Sequence, residues 1–236
     1  ITVVLQNRQT GYMPKGDNDY MKTMLKPITN IVFFFLINFG LWEALTAAGM
    51  NRSWASFTVY AVLIVIVIAI WNKDLLNKWH QFKSEIKSWR TFFIVLFIWL
   101  AVAAILSYLF QYLVNGSFKT QNTETVETMA DTIPPILTCI MMSIFTPFIE
   151  ELTFRESIIG WVNKSNKVAI TIMAVISVIV FDSIHLYEWK EFFYYLPLSI
   201  GLTTFYIKHN RSIYASIIMH ALANLPGAVM MIIGVM

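Results

Sequence analysis

Two adjacent acids and a nearby arginine close a long uncharged run of the sequence. No charged residue occurs from Ile133 to Ile149, and Glu150, Glu151 and Arg155 follow within the next six positions. A charge at the centre of a membrane helix costs about 2.5–3.5 kcal/mol, so such residues face a protein interior or a wet cavity and by default mark a functional site. Glu151 and Arg155 have the i,i+4 spacing of an ion pair on one helix face. Glu150 lies about 100° around the helix from Glu151, so it remains available for chemistry.

Two further polar motifs interrupt later apolar stretches. Phe181 and His185 are spaced i,i+4 with Asp182 between them, and His220 and Asn224 repeat that spacing nearer the C-terminus. Residues four apart share a helix face, so the imidazole of His220 and the amide of Asn224 are expected to lie side by side. Asp182 is expected either to orient His185 or to mark the membrane interface.

These side chains are the parts needed to hydrolyse a peptide bond. A buried carboxylate with an imidazole can hold and deprotonate a water molecule, and a second imidazole with an amide can donate hydrogen bonds to the resulting oxyanion. The sequence contains neither G-x-S-x-G nor H-E-x-x-H, so the corresponding serine and zinc motifs do not compete. Glu150, His185 and His220 nevertheless match the ligand types of a catalytic zinc site, and the residues alone leave a metal open.

The composition indicates a protein that crosses a membrane several times. Of the 236 residues, 57% are hydrophobic and 13% are charged, and the mean hydropathy is +0.62, whereas soluble domains are about 25% charged. The single cysteine, Cys139, excludes a disulfide within the chain. The small net charge of +3 gives no indication of a nucleic-acid partner.

Seven apolar stretches predict an all-α, polytopic transmembrane helical bundle with a polar intramembrane cavity. A helix needs about 17–25 residues to cross the hydrocarbon core. Residues 1–30 are expected to form a juxtamembrane arm, and residues 31–236 a single transmembrane domain whose motif-bearing part is about 130–230. The stretches are 31–50, 55–71, 91–114, 134–160, 167–187, 192–207 and 212–236.

Basic residues in the short loops predict an N-terminus inside the cell. Lysine and arginine are concentrated in the loop 72–90 and in the turns 163–167 and 208–211, whereas the loop 115–133 has more acid than base. Basic loops remain in the cytoplasm. An integral protein of the bacterial cytoplasmic membrane, with the lipid bilayer as a partner, is therefore expected, since the small size favours a bacterial origin.

The three motifs together, in this order on three apolar stretches, resemble the intramembrane protease family of CAAX prenyl endopeptidases and bacteriocin-processing enzymes, often called the CPBP or Abi family. The matching pieces are EELTFR at 150–155, FDSIH at 181–185 and HALAN at 220–224. The resemblance implies a membrane-embedded peptidase that cleaves a membrane-associated protein or an exported peptide. Bacteriocin self-immunity and peptide maturation are the roles it implies in small bacterial relatives.

The resemblance also implies a role for each residue of the motifs. Glu150 with His185 would activate water, and His220 with Asn224 would form the oxyanion pocket. The remaining motif residues would support the site: Glu151, Arg155, Phe181 and Asp182. The family is described both as glutamate-based and as metal-dependent. Because an asparagine suits oxyanion binding better than zinc ligation, no cofactor is expected, with zinc as the alternative.

Two other function classes stay open, and one geometric difficulty accompanies the site. A proton-coupled transporter could relay protons through the buried acids and histidines, and a non-catalytic immunity or scaffold protein could bind a partner in the membrane.

In straight helices Glu150, His220 and His185 would lie about 18, 13 and 27 Å from the inner ends of their stretches. They can meet only if the fifth stretch tilts, bends or begins later than residue 167, and a later start is the expectation.

Overall fold

The fold of the described chain is entirely helical. A computed structural model describes residues 17–116, 124, 128, 129 and 131–233, and their side chains from residue 24 onward except that of Asn115. No β-strand occurs among these residues. The all-α class predicted from composition is therefore confirmed.

Seven helical segments in the described part of the chain correspond to the seven apolar stretches. They are α1 (residues 17–47), α2 (Arg52–Glu85), α3 (Trp89–Asn115), α4 (Pro135–Ile159), α5 (Lys167–Ser183), α6 (Phe192–Lys208) and α7 (Ile213–Ile232). A short 3₁₀ turn, Trp189–Glu191, precedes α6.

Five of the seven helices have the length and composition to cross a membrane: α1 from Met24, α2, α3, α4 and α7. On α3, the outward-facing Ile94, Phe97 and Ile105 are 51–66% exposed, as expected of side chains that face lipid. With 17 residues each, α5 and α6 lie at the lower limit for a crossing. The count of seven spans therefore stays a prediction.

Two element boundaries differ from the sequence prediction. Residues 1–16 of the predicted arm lie outside the described residues, but residues 17–30 are the first part of α1. The predicted loop 72–90 is helical as far as Glu85. The reason is packing: Trp79 and Phe82 continue the apolar face of α2, and their rings lie 5.0 and 6.3 Å from the ring of Tyr214 on α7.

Short polar residues and a glycine set several helix ends. Oδ1 of Asn51 accepts a hydrogen bond from the Ser53 amide at 2.9 Å, and Oδ1 of Asn166 accepts from the Ala169 amide at 3.0 Å. Such N-caps satisfy amides that have no partner within the helix. Gly116 ends α3 in a left-handed conformation with φ of 66°, which glycine adopts without steric cost.

The most buried of the candidate spans is α4, and it departs twice from α geometry. Of its apolar window 44% is buried, compared with 11–33% in the other four spans. Residues Met141–Phe145 and Glu151–Glu156 are π-helical. Pro147 has no N–H to donate to the carbonyl of Ser143, which explains the first departure. Because π-helical turns are frequent at functional sites, the two turns indicate that α4 carries a functional site.

Asn30 ties α1 to the second π-helical turn of α4. Its side chain is completely buried. Its Nδ2 group donates to Oγ1 of Thr153 at 3.0 Å and to Oγ of Ser157 at 3.2 Å. In an apolar interior such bonds fix how two helices face each other, because an unpaired amide would be costly there.

We predict that Asn30→Ala lowers the free energy of unfolding by about 1–3 kcal/mol, because it removes a buried hydrogen-bonded group from two hydroxyls. Thermal or denaturant unfolding of the purified protein in detergent measures the change. The matched control is Asn77→Ala, an exposed asparagine of α2, which should change stability by less than about 0.5 kcal/mol. Equal stability of the two variants would contradict the assignment.

Candidate active site

Glu150 lies between two imidazole rings that come from different parts of the chain. One carboxylate oxygen, Oε1, is 3.8 Å from Nε2 of His185, and the other, Oε2, is 3.8 Å from Nε2 of His220. Glu150 is 1% exposed, and its Oε2 has no hydrogen-bond partner among the described residues. Both distances exceed that of a direct hydrogen bond, so the carboxylate faces the two rings without bonding to either.

The second nitrogen of each ring is held by an acceptor. Nδ1 of His185 donates to the carbonyl of Phe181 at 2.7 Å, and Nδ1 of His220 donates to Oε1 of Glu151 at 2.9 Å. A carbonyl and a carboxylate can only accept, so these partners assign the hydrogen of each neutral ring to Nδ1. The nitrogen 3.8 Å from Glu150 is then left with a lone pair on both rings.

Glu151 and Arg155 form the ion pair that their spacing predicts. Nη1 of Arg155 lies 3.1 Å from Oε1 of Glu151, and both side chains are fully buried. Nη2 donates to the carbonyl of Ser199 on α6 at 3.4 Å. The same Glu151 oxygen binds Arg155 and His220, so the pair joins α4 to α7 as well as to α6.

Phe181 is the aromatic centre of the site. The Arg155 guanidinium lies 4.2 Å from its ring centroid, within the range of a cation–π contact. The His185 and His220 rings lie 4.7 and 5.8 Å from it, and Phe154 meets it edge-on at 5.5 Å. One side chain therefore packs against both imidazoles and the only buried arginine among the described residues.

Asp182 does not orient the His185 ring, as one reading of the sequence proposed. It is completely buried. Its backbone carbonyl accepts from the His185 amide at 2.9 Å, while the imidazole itself is bonded to the carbonyl of Phe181. The carbonyl of Phe181, four residues before His185, lies within hydrogen-bond distance of Nδ1, and this bond fixes the orientation of the ring.

Asn224 is fixed by α4 rather than by another side chain of the site. Its Nδ2 group donates to the carbonyl of Met142 at 2.9 Å, in the first π-helical turn. An amide nitrogen has two hydrogens, so one remains for a ligand. The bond to Met142 holds α7 against α4 one helical turn beyond His220.

Helix α5 begins at Lys167. A later start of the fifth membrane span, with residues 168–172 outside the hydrocarbon, stays a prediction. His185 lies two residues beyond the end of α5, in the turn that follows. Three cavities in the described part of the chain are lined by other residues, and a polar cavity at Glu150 stays a prediction.

Three further residues adjoin the site that the motif search did not include. The Tyr195 ring lies 5.1 Å from that of His185, Ser216 lies beside the Glu151 carboxylate, and Tyr60 is an electrostatic neighbour of Glu150. Ser216 precedes His220 by four residues, so helical spacing could have found it. The two tyrosines belong to other helices and carry no sequence signal.

The donor chemistry of the site suits zinc, but its geometry is not that of a preformed site. Histidine ligands of metals commonly donate their other N–H to a carbonyl or carboxylate, as His185 and His220 do. Among the described residues, no group of three His, Cys, Asp or Glu side chains is placed to hold a metal ion.

Metal content can be measured directly. We predict that purified wild-type protein and His185→Ala contain equal, substoichiometric zinc by elemental analysis, and that a chelator leaves peptide cleavage unchanged. Stoichiometric zinc in the wild type that is lost in His185→Ala would show that Glu150, His185 and His220 are ligands instead.

Fold and site together describe a polytopic helical membrane protein with a buried carboxylate between two histidines. Residues 132–226, which contain all three motifs, match the family model described as type II CAAX prenyl endopeptidase Rce1-like. UPF0177 protein YvdC of Lactococcus lactis subsp. lactis (strain IL1403) is 26% identical over 211 residues, which cover 86% of this chain and 77% of that protein. No solved structure matches the chain. Over residues 132–226 the chain is thus similar to this family, which confirms the resemblance to CAAX proteases that the motifs carry.

We predict that Arg155→Met lowers the free energy of unfolding by about 3–5 kcal/mol, because it leaves the Glu151 carboxylate buried without its cation. Adding Glu151→Gln should recover part of that loss, since the buried charge is then gone. Unfolding in detergent measures both. The control is Lys26→Met, which breaks the half-exposed pair with Asp74 and should cost about 1 kcal/mol or less. If the double variant were less stable than Arg155→Met alone, the explanation would be wrong.

Proposed function

We propose that this chain is a membrane-embedded endopeptidase that hydrolyses a peptide bond in a membrane-associated protein or an exported peptide. The observation that carries the proposal is the position of two imidazole Nε2 atoms, each 3.8 Å from a different oxygen of the buried Glu150 carboxylate. The match to a protease family supports peptidase activity.

In the proposed reaction, Glu150 and His185 hold the attacking water. The water donates one hydrogen towards the carboxylate and the other to the lone pair on Nε2 of His185. Proton transfer to Glu150 leaves a hydroxide-like oxygen, which adds to the carbonyl carbon of the peptide. When the carbon–nitrogen bond breaks, Glu150 returns the proton to the leaving amine. The buried position of Glu150 suits this role, because little other water competes for its proton.

His220 and Asn224 are the proposed donors to the oxyanion. Nδ1 of His220 is engaged by Glu151, so the ring can donate from Nε2 only in its imidazolium form, because the neutral ring has a lone pair there. Asn224 has one N–H on Met142 and a second available. Donors fixed before the reaction stabilise developing charge without reorganising. Glu151, Arg155 and Phe181 are positioning residues in this scheme, because they hold the His220 ring.

We predict that Glu150→Ala and His220→Ala each reduce cleavage of a peptide library in detergent by at least about 10²–10⁴-fold, the size of a general-base contribution. Matched controls are Glu43→Ala and His80→Ala, an exposed acid and an exposed histidine, which should cleave like the wild type. Cleavage that survives both site substitutions would remove the protease assignment.

We predict that Asn224→Ala lowers kcat by about 10²–10³-fold, as loss of one oxyanion donor does, with little change in KM. Steady-state kinetics on one cleaved peptide separate the two constants, and unfolding in detergent checks that the fold persists without the Met142 bond. An increase in KM at unchanged kcat would instead assign Asn224 to substrate binding.

The biological role is proposed from the bacterial relative. YvdC comes from a bacterium, which supports a place in the bacterial cytoplasmic membrane. The basic loops and the apolar stretches are the basis for proposing the N-terminus inside and residues 31–236 as one transmembrane domain. Maturation of an exported peptide or bacteriocin self-immunity is the proposed role. The alternatives, a non-catalytic immunity or scaffold protein and a proton-coupled transporter, differ from it in one respect: neither cleaves peptide.

A further inference from the structure

A polar cavity lies away from Glu150, where α2, α4, α6 and α7 end or begin. It encloses about 200 Å³. Three cations from separate elements line it: Lys78 on α2, Lys164 in the turn after α4, and Arg211 in the turn before α7. These elements carry the basic loops from which the N-inside orientation is predicted.

The carboxylates that share the cavity are already occupied by donors. Glu156 accepts from Nζ of Lys78 at 2.8 Å and from the Tyr206 hydroxyl at 3.1 Å. Glu85 accepts from Nδ2 of Asn210 at 2.7 Å. Three cations against these two carboxylates, Glu85 and Glu156, leave a net formal charge of +1 at the cavity wall.

Two of the cations retain donors for a ligand. Lys164 makes one bond, to Oδ1 of Asn210 at 3.0 Å, out of three that an ammonium can donate. Arg211 uses Nη1 on the carbonyls of Ile159 and Val162 at the end of α4, which leaves its other N–H groups. Burial, and then the nearby Arg211 charge, lower the pKa of Lys164. An anion bound between the two cations would reduce the repulsion between Lys164 and Arg211.

The turn before α7 is held in an unusual conformation. Asn210 and Arg211 are consecutive non-glycine residues with φ of 56° and 61°. A left-handed conformation costs about 1–2 kcal/mol per residue, and such strain is concentrated at functional sites. Here it turns the chain sharply, so that Arg211 and Ser212 both line the cavity.

The start of α7 adds donors of a second kind. Ser212 occupies the N-cap position but makes no capping hydrogen bond, and its buried hydroxyl has no partner among the described residues. The first amides of a helix carry partial positive charge and bind phosphate readily. The unpaired Ser212 hydroxyl, the first residue of α7 and two cations therefore line one cavity.

We propose that this cavity is a binding site for a phosphate group, with Lys164, Arg211, Ser212 and the first amides of α7 as its ligands. A phospholipid headgroup is the expected source, since basic pockets between helix ends at the cytoplasmic side of a membrane bind anionic headgroups. Free phosphate shares the chemistry. The proposal does not depend on the peptidase site, because its residues are separate from Glu150 and its partners.

Two probes distinguish the sources. Native mass spectrometry of the purified protein measures retention of phosphatidylglycerol against phosphatidylcholine, and thermal unfolding measures stabilisation by inorganic phosphate against chloride at equal ionic strength. We expect Lys164→Gln to weaken phosphatidylglycerol retention about tenfold, the effect of losing one charge-assisted hydrogen bond. The matched control is Lys167→Gln, which removes an equally exposed lysine three residues away, outside the cavity.

Each outcome decides the proposal. Selective retention of phosphatidylglycerol that Lys164→Gln loses and Lys167→Gln keeps assigns the site to a headgroup. Stabilisation by inorganic phosphate that Lys164→Gln loses and Lys167→Gln keeps, without retention of phosphatidylglycerol, assigns the site to free phosphate. If neither probe binds the wild type, or if both lysine variants behave alike, the proposal is overturned. Ser212→Ala, which removes only the unused hydroxyl, should weaken binding without changing the net charge.

Discussion

The buried ion pair of Glu151 and Arg155 is the constraint on which the site depends. Two charges taken out of water are stable only where they are paired and further hydrogen bonds offset part of the lost hydration. The surrounding helices each supply a partner: α7 gives the Nδ1 group of His220, α6 the carbonyl of Ser199, and α5 the ring of Phe181. The pair therefore sets how three helices pack on α4.

This arrangement separates two acids that are adjacent in sequence. Oε1 of Glu151 binds both a guanidinium and an imidazole, whereas the Glu150 carboxylate lies 3.8 Å from each imidazole, beyond hydrogen-bond distance. Because the Nδ1 atoms of both histidines are tied to acceptors, the rings present Nε2 to Glu150 in a fixed orientation. Fixed groups around a reacting centre are what an enzyme needs, since it then reorganises little during the reaction.

The far end of α4 is fixed by a different set of polar contacts. Glu156 closes the second π-helical turn and binds Lys78 and Tyr206, and Arg211 satisfies the carbonyls of Ile159 and Val162 after it. The helix that carries Glu150 is thus anchored both at the ion pair and at its end. If a phosphate binds at Arg211, it does so at the end of the helix that carries Glu150.

The sequence by itself determined the helical class, the seven helices, the Glu151–Arg155 pair and the three motifs. It did so because hydrophobic periodicity and i,i+4 spacing report which residues share a face of one helix. Only the tertiary structure decided that His220 bonds to Glu151, that Asn224 bonds to Met142, and that Phe181 rather than Asp182 holds the His185 ring. The first two join different helices, and the third lies in the turn after α5. They depend on helix packing and local chain direction, which periodicity does not encode.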